Sequence, residues 1–129
     1  MRQPTILLAD DHPVIRGAIR SDLEELGYEI CGEVGDADAA VAAALELRPE
    51  ICLLDIDMPG NGIDAARSIS ALLPETRVVM LTVSRDPRDV VASVDAGAVD
   101  FVLKDVESAL LDSALTDALA GVVLAPPDR

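Results

Sequence analysis

Ile51-Cys52-Leu53-Leu54-Asp55-Ile56-Asp57-Met58-Pro59 is the stretch whose reading decides the fold. Four apolar residues run straight into a carboxylate, and Met58-Pro59-Gly60 turns the chain away. A short unbroken apolar run suits a strand buried on both faces, as in a parallel sheet, because neither face meets water. Asp55 then stands at the carboxyl end of the strand, where open α/β sheets gather their chemistry. A carboxylate at that point can also simply end the strand or cap a turn. Its meaning therefore depends on the chain around it.

Upstream, Thr5-Ile6-Leu7-Leu8-Ala9 is another buried run, and it ends in Asp10-Asp11. His12-Pro13 leads into a helix, with Pro13 in the first turn, where a missing N–H costs little. Ile15, Ile19, Leu23 and Leu26 recur at helical spacing until Gly27. Residues 28–34 read as a strand. Asp36 can cap an alanine-rich helix that ends near Leu47, before Pro49.

Downstream, Ile63, Ala66, Ile69 and Leu73 mark a helix stopped by Pro74. Residues 77–82 form a strand closing on Thr82. Asp86-Pro87 opens a helix carrying Val90, Val91 and Val94, which Gly97 ends. Residues 99–103 form a short strand running into Lys104. The last helix has an apolar stripe of Leu110, Leu111, Ala114, Leu115, Ala118 and Leu119 before Gly121.

The 129 residues suit one domain with a real core. The composition is 50% hydrophobic but 2% aromatic, so that core is built of Val, Leu, Ile and Ala. The formal charge is −14, from 10 basic and 24 acidic residues. Such a surface repels phosphate backbones and anionic lipids, which argues against nucleic-acid or membrane binding by this domain. Cys31 and Cys52 fall in strands and read as small buried hydrophobes of a reducing compartment. No apolar run approaches membrane-spanning length and no signal peptide is visible, so the expectation is a soluble, cytoplasmic protein.

Strands alternating with helices indicate a parallel sheet covered on both faces. Right-handed crossovers bring every strand's carboxyl end to one rim. Asp10-Asp11, Asp55, Thr82 and Lys104 all fall there. Three carboxylates crowded together need a counter-ion. A hard divalent cation such as Mg²⁺ supplies it through oxygen ligands alone. Cation, ammonium and hydroxyl together suit a phosphoryl group, and Asp55, central among them, is the candidate nucleophile. His12 reads as a helix-entry residue.

The ordered set Asp10-Asp11-His12-Pro13, Asp55-Ile56-Asp57-Met58-Pro59-Gly60, Leu81-Thr82-Val83-Ser84 and Gly97 through Asp105 resembles the receiver domain of two-component response regulators. The resemblance is greatest to the NarL/FixJ (LuxR) type and covers about residues 5–121. It implies a flavodoxin-like (βα)5 sandwich with strand order 2-1-3-4-5. It further implies that Asp55 is the phosphoacceptor and that Asp10, Asp11, Asp55 and the Asp57 backbone carbonyl hold Mg²⁺ or Mn²⁺. Thr82 and Lys104 would contact the phosphoryl group, and Phe101 would be the aromatic switch residue.

The implied function is a phosphorylation-dependent signalling switch that catalyses only its own aspartyl phosphorylation and dephosphorylation. Its partner would be a sensor histidine kinase, with a phosphorylation-enhanced homodimer as a further assembly. DNA would be reached only through a helix-turn-helix output domain, towards which residues 122–129 form a linker or tail after a receiver at 1–121. Three details depart from the pattern. Gly60-Asn61-Gly62 makes a loop about one residue short, Asp100 stands where glycine is frequent, and the chain stops near the expected linker. Two alternatives stand beside this reading: a haloacid-dehalogenase-like Mg²⁺-dependent phosphatase, from Asp55-Ile56-Asp57, and a receiver-like module that signals without phosphorylation.

Overall fold

Side chains alternate across a strand, so each buried strand here serves two separate cores. The computed structural model describes residues 3–105 and 108–121. Its elements run β1 (Thr5–Ala9), α1 (Pro13–Glu25), β2 (Glu29–Val34), α2 (Ala37–Leu47), β3 (Ile51–Leu54), α3 (Gly62–Leu72), β4 (Arg77–Thr82), α4 (Pro87–Asp95), β5 (Asp100–Leu103) and α5 (Ser108–Leu119). The strands form one parallel sheet in the order β2-β1-β3-β4-β5. This is the expected flavodoxin-like topology.

Leu7, Ala9, Cys52, Leu54, Val78 and Met80 point to one face and pack against α2, α3 and the end of α4. Ile6, Leu8, Ile51, Leu53, Val79 and Leu81 point to the other, against Leu23 of α1 and Leu111, Leu115 and Ala118 of α5. α2 meets the sheet through Ala37, Ala40 and Ala44, all buried. Without large rings to fill space, such small side chains let the helix lie close, which keeps the interior dense. Caps fix where the helices start: Asp36 accepts from the Ala39 amide at 2.7 Å, and Asp86 from the Arg88 amide at 2.9 Å.

Several boundaries and faces differ from the sequence expectation. β2 starts at Glu29 because Tyr28 leaves the ladder, buries its ring and donates its hydroxyl to Asp112 of α5 at 3.0 Å. β5 starts at Asp100, whose carboxylate accepts from the Phe101 amide at 2.7 Å, while Val99 bonds to the Val78 carbonyl just outside the ladder. Ile15 and Leu110 follow the apolar spacing, yet they are exposed; each lies beside the buried arc rather than within it. Cys52 is fully buried, which pushes its thiol up to about 12, whereas Cys31 is only half-buried. Among the described residues no helix is long and apolar enough to cross a membrane. The tail at 122–129 lies outside the described residues.

The short loop after β3 is a tight one. Asn61, at φ 73°, caps α3 by accepting from the Ile63 amide at 2.8 Å. A Cβ on Gly62 would sit 1.9 Å from the Asp55 carbonyl oxygen, so only glycine lets α3 begin against the Asp55 peptide. Gly62→Ala must therefore push α3 away from the end of β3. The expected loss is about 3 kcal/mol, at the upper end for overpacking because the obstacle is backbone. Urea unfolding checks it, and a parent-like midpoint would contradict the packing described.

Candidate functional site

The ladders bring the polar residues together before any side chain is considered. Ala9 pairs with Leu54, and the Asp55 amide continues that register by donating to the Ala9 carbonyl at 2.9 Å. Asp10 and Asp55 thus leave adjacent strands side by side. Thr82 pairs with Leu103, and the Lys104 amide donates to the Thr82 carbonyl at 2.8 Å. Four strand ends converge on one pocket.

Lys104 reaches across this pocket. Its Nζ lies 2.6 Å from Asp10 Oδ2 and 3.2 Å from Asp55 Oδ2. Asp10 is 1% exposed and Asp55 3%. Among the described residues neither Oδ2 has another polar partner. Their other oxygens are served from the backbone: Asp10 Oδ1 accepts from the His12 amide at 2.9 Å, and Asp55 Oδ1 from the Asp57 amide at 3.3 Å. Asp11 is part-exposed, with His12 Nδ1 2.9 Å from its Oδ1.

The two buried carboxylates are not equivalent. Burial is the largest influence on Asp10 and pushes its pKa up, but Lys104 and the two His12 hydrogen bonds more than cancel it, leaving the group below its ordinary value. Burial also dominates at Asp55. There the more distant Lys104 and the Asp57 amide do not cancel it, the charge of Asp10 adds to it, and the pKa is raised. At Lys104 burial pulls down, yet the two acids outweigh it and hold the ammonium charged. Asp55 is the carboxylate left short of positive charge.

Each residue singled out in the sequence can now be placed. Asp10, Asp11, Asp55 and Lys104 come together in the pocket. Thr82 is fully buried at the end of β4, its Oγ1 accepting from the Ser84 amide at 3.1 Å. The Asp57 side chain is exposed and turned out of the group. Phe101 pairs with Met80 in the ladder and packs half-buried on the α2–α3 face. His12 is closer to the acids than a helix-entry residue requires, and Arg16 and Glu33, which sequence reading passed over, stand directly behind Asp10. The only local hint of Arg16 was its place one turn into α1; its targets lie across the fold.

A family model described as the response regulator receiver domain matches residues 6–116. The chain belongs to this family. It is 40% identical over 103 residues to the protein CcdB of Bacillus subtilis, covering 79% of this chain and 86% of that one. It is 34% identical to the nitrate/nitrite response regulator NarL of Escherichia coli over 119 residues, 91% of this chain but 55% of NarL. A two-component response regulator of the LuxR family from an Aurantimonas species superposes with a TM-score of 0.90 at 32% identity, covering 98% of this chain and 92% of its own. The chain spans about half the length of several curated relatives, NarL among them. Nothing in these matches favours the phosphatase alternative.

A receiver of this type is a phosphorylation-dependent signalling domain rather than a metabolic enzyme, and its pocket is suited to a divalent cation. Asp10, Asp11, His12 and Asp55 each offer a ligand atom, all within 4.8 Å of one another. Oxygen from three carboxylates is the donor chemistry that a hard cation prefers, and burial, with the charge of Asp10, holds the Asp55 pKa up despite Lys104.

Lys104→Ala removes the only cation found between the two buried acids among the described residues. At neutral pH in metal-free buffer it should cost about 3 kcal/mol, the lower end for breaking a buried pair, because the pocket opens at the rim. The pair contributes while the acids are ionised, and its contribution fades as pH falls through Asp55 first and then Asp10. The deficit of the variant in urea unfolding should therefore shrink on acidification. A deficit that grew in acid would show that Lys104 does not pair with ionised carboxylates.

Proposed function

We propose that this receiver takes a phosphoryl group onto Asp55 from a phosphohistidine of a sensor histidine kinase and changes conformation to control an output domain, in transcription regulation. The observation that supports it best is the asymmetric sharing of Lys104 between Asp10 and Asp55. It leaves Asp55 buried, fixed from behind by the Asp57 amide, and under-neutralised. Such a carboxylate suits attack on an electrophilic phosphorus, because the new group brings its own demand for cations.

In the step, an Asp55 carboxylate oxygen bonds to phosphorus as the phosphorus–nitrogen bond of the donor breaks. The electron pair of that bond leaves on the imidazole, which is protonated and released. The residues Asp10, Asp11, Asp55 and the carbonyl of Asp57 would hold Mg²⁺ or Mn²⁺, whose charge neutralises the phosphoryl oxygens when it is bound. Lys104 then faces a group of greater negative charge than the carboxylate it replaces, so the balance now tilted to Asp10 shifts toward residue 55. Thr82 would turn its hydroxyl to a phosphoryl oxygen, giving up the Ser84 amide. That motion vacates space on the α2–α4 side, where the ring of Phe101 would follow.

Mass spectrometry after incubation with Mg²⁺ and a small phosphodonor tests the acceptor. The parent should gain one phosphoryl group, and Asp55→Asn should gain none. Labelling that persists in that variant means another residue is the acceptor.

Assembly is the second part of the reading. Leu110 is exposed on α5, beside the small, exposed residues Ser113 and Thr116. Such surface suits close helix–helix approach, and a weak homodimer strengthened by phosphorylation, with α5 at its edge, is the expected consequence. Sedimentation with and without a phosphoryl mimic measures it. A monomer in both states at high concentration rules the dimer out.

A further inference from the structure

We propose that Arg16 is a positioning residue for the cation site, holding the backbone of Asp10 so that the Asp10 and Asp11 carboxylates are presented together. This rests on reading those acids as the cation ligands. The geometry behind it is a clamp on the far side of the acid pair. Arg16 Nη1 donates to the Asp10 carbonyl at 2.8 Å and, more weakly, to the Val34 carbonyl at 3.4 Å. The Val34 carbonyl also accepts the Asp10 amide at 3.0 Å. One guanidinium nitrogen therefore ties together the last rung between β1 and β2 and the peptide that follows it.

The guanidinium is itself held in place. Arg16 Nε donates to Glu33 Oε1 at 3.2 Å, while Arg20 binds Glu33 Oε2. Arg20 in turn pairs with Glu24 one turn along α1 at 3.5 Å. Arg16 and Glu33 are each only about a quarter exposed, at 24% and 25%, so this pair is not an ordinary solvated surface contact. A planar guanidinium that donates in two directions suits this task, since one edge reads the carboxylate of β2 and another reads the backbone of β1. Nothing in the proposed phosphoryl chemistry requires a cation here. Arg16 touches neither an Asp10 carboxylate oxygen nor Asp55; it touches the peptide from which Asp10 and Asp11 diverge.

Charge and position predict opposite outcomes, which makes the idea testable. Deleting a positive charge beside a cation site strengthens cation binding on Coulomb grounds alone. Deleting a residue that presents the ligands weakens it, and partners standing behind metal ligands are typically worth about 10-fold or more in affinity. Mg²⁺ titrations followed by amide NMR, on the parent, Arg16→Gln and Arg16→Lys, separate the two. The expected result is an Mg²⁺ Kd raised about 10-fold in Arg16→Gln, with partial recovery in Arg16→Lys, whose ammonium reaches one carbonyl but cannot also hold Glu33. Equal or tighter binding by Arg16→Gln overturns the proposal.

Hydrogen exchange in metal-free buffer supplies the second arm. The Asp10 and His12 amides, bonded to the Val34 carbonyl and to Asp10 Oδ1, should exchange faster in Arg16→Gln while β3 and β4 keep parent rates. Unchanged exchange at both amides also overturns the proposal. If the parent itself binds no Mg²⁺, the cation reading above fails instead, and the exchange arm still decides the role of Arg16. Should Arg16→Gln not fold, Glu33→Ala, which removes both oxygens that hold Arg16 and Arg20, is expected to give the same faster exchange.

Discussion

Two buried carboxylates and one ammonium set the terms for the carboxyl rim of this sheet. Asp10 and Asp55 leave adjacent parallel strands, so the ladder itself forces them together and leaves like charges with little water. An uncompensated pair of this kind is costly, and Lys104 at 2.6 and 3.2 Å is what makes the arrangement tenable. The compensation is incomplete. One cation serves two anions, it stands nearer to Asp10, and Asp55 keeps a raised pKa. The site therefore retains a demand for positive charge that no described residue meets, which is the physical basis for reading it as a cation and phosphoryl site.

The rest of the fold is arranged so that this strain stays local. Both faces of the sheet are packed with aliphatic side chains, and two cores meet only through the strands themselves. The loop after β3 is held by a capped helix that begins directly against the Asp55 peptide, so the end of β3 cannot relax outward. A weaker contact lies in the loops that follow the strands. Arg85 and Asp105, 2.6 Å apart, bridge the loops after β4 and β5, but both are two-thirds exposed, so water and salt screen the pair and it adds little stability. Rigidity sits under the site and weakness around it. That distribution suits a domain proposed to change conformation when Asp55 is modified.

Much of this was legible in the chain because the signals are local. Apolar runs of four to six residues, helix caps such as Asp36 and Asp86, and stops such as Gly27 and Gly97 depend only on neighbours, and they placed all ten elements. The errors came where a neighbour in sequence is not a neighbour in space. Tyr28 reads as a strand residue until its partner Asp112, 84 residues away, is known. Ile15 and Leu110 obey helical spacing, yet each lies beside the buried arc of its helix and is exposed. His12 does enter α1, as read, at the N-cap position; its approach to Asp10 and Asp11 adds to that reading.

The sequence alone determined the alternation of strands and helices, the parallel sheet that follows from it, and the gathering of Asp10, Asp11, Asp55, Thr82 and Lys104 at one rim. Right-handed crossovers leave little freedom once the elements are placed, so that much required no coordinates. Only the tertiary structure decided how the charge is divided: that Lys104 sits closer to Asp10 than to Asp55, and that Asp57 turns its side chain outward. Only the tertiary structure, too, put Arg16 behind the acid pair with Glu33 holding it. Those outcomes depend on distances of a few tenths of an ångström between groups brought together from different strands. Local propensity carries no information at that scale; packing does.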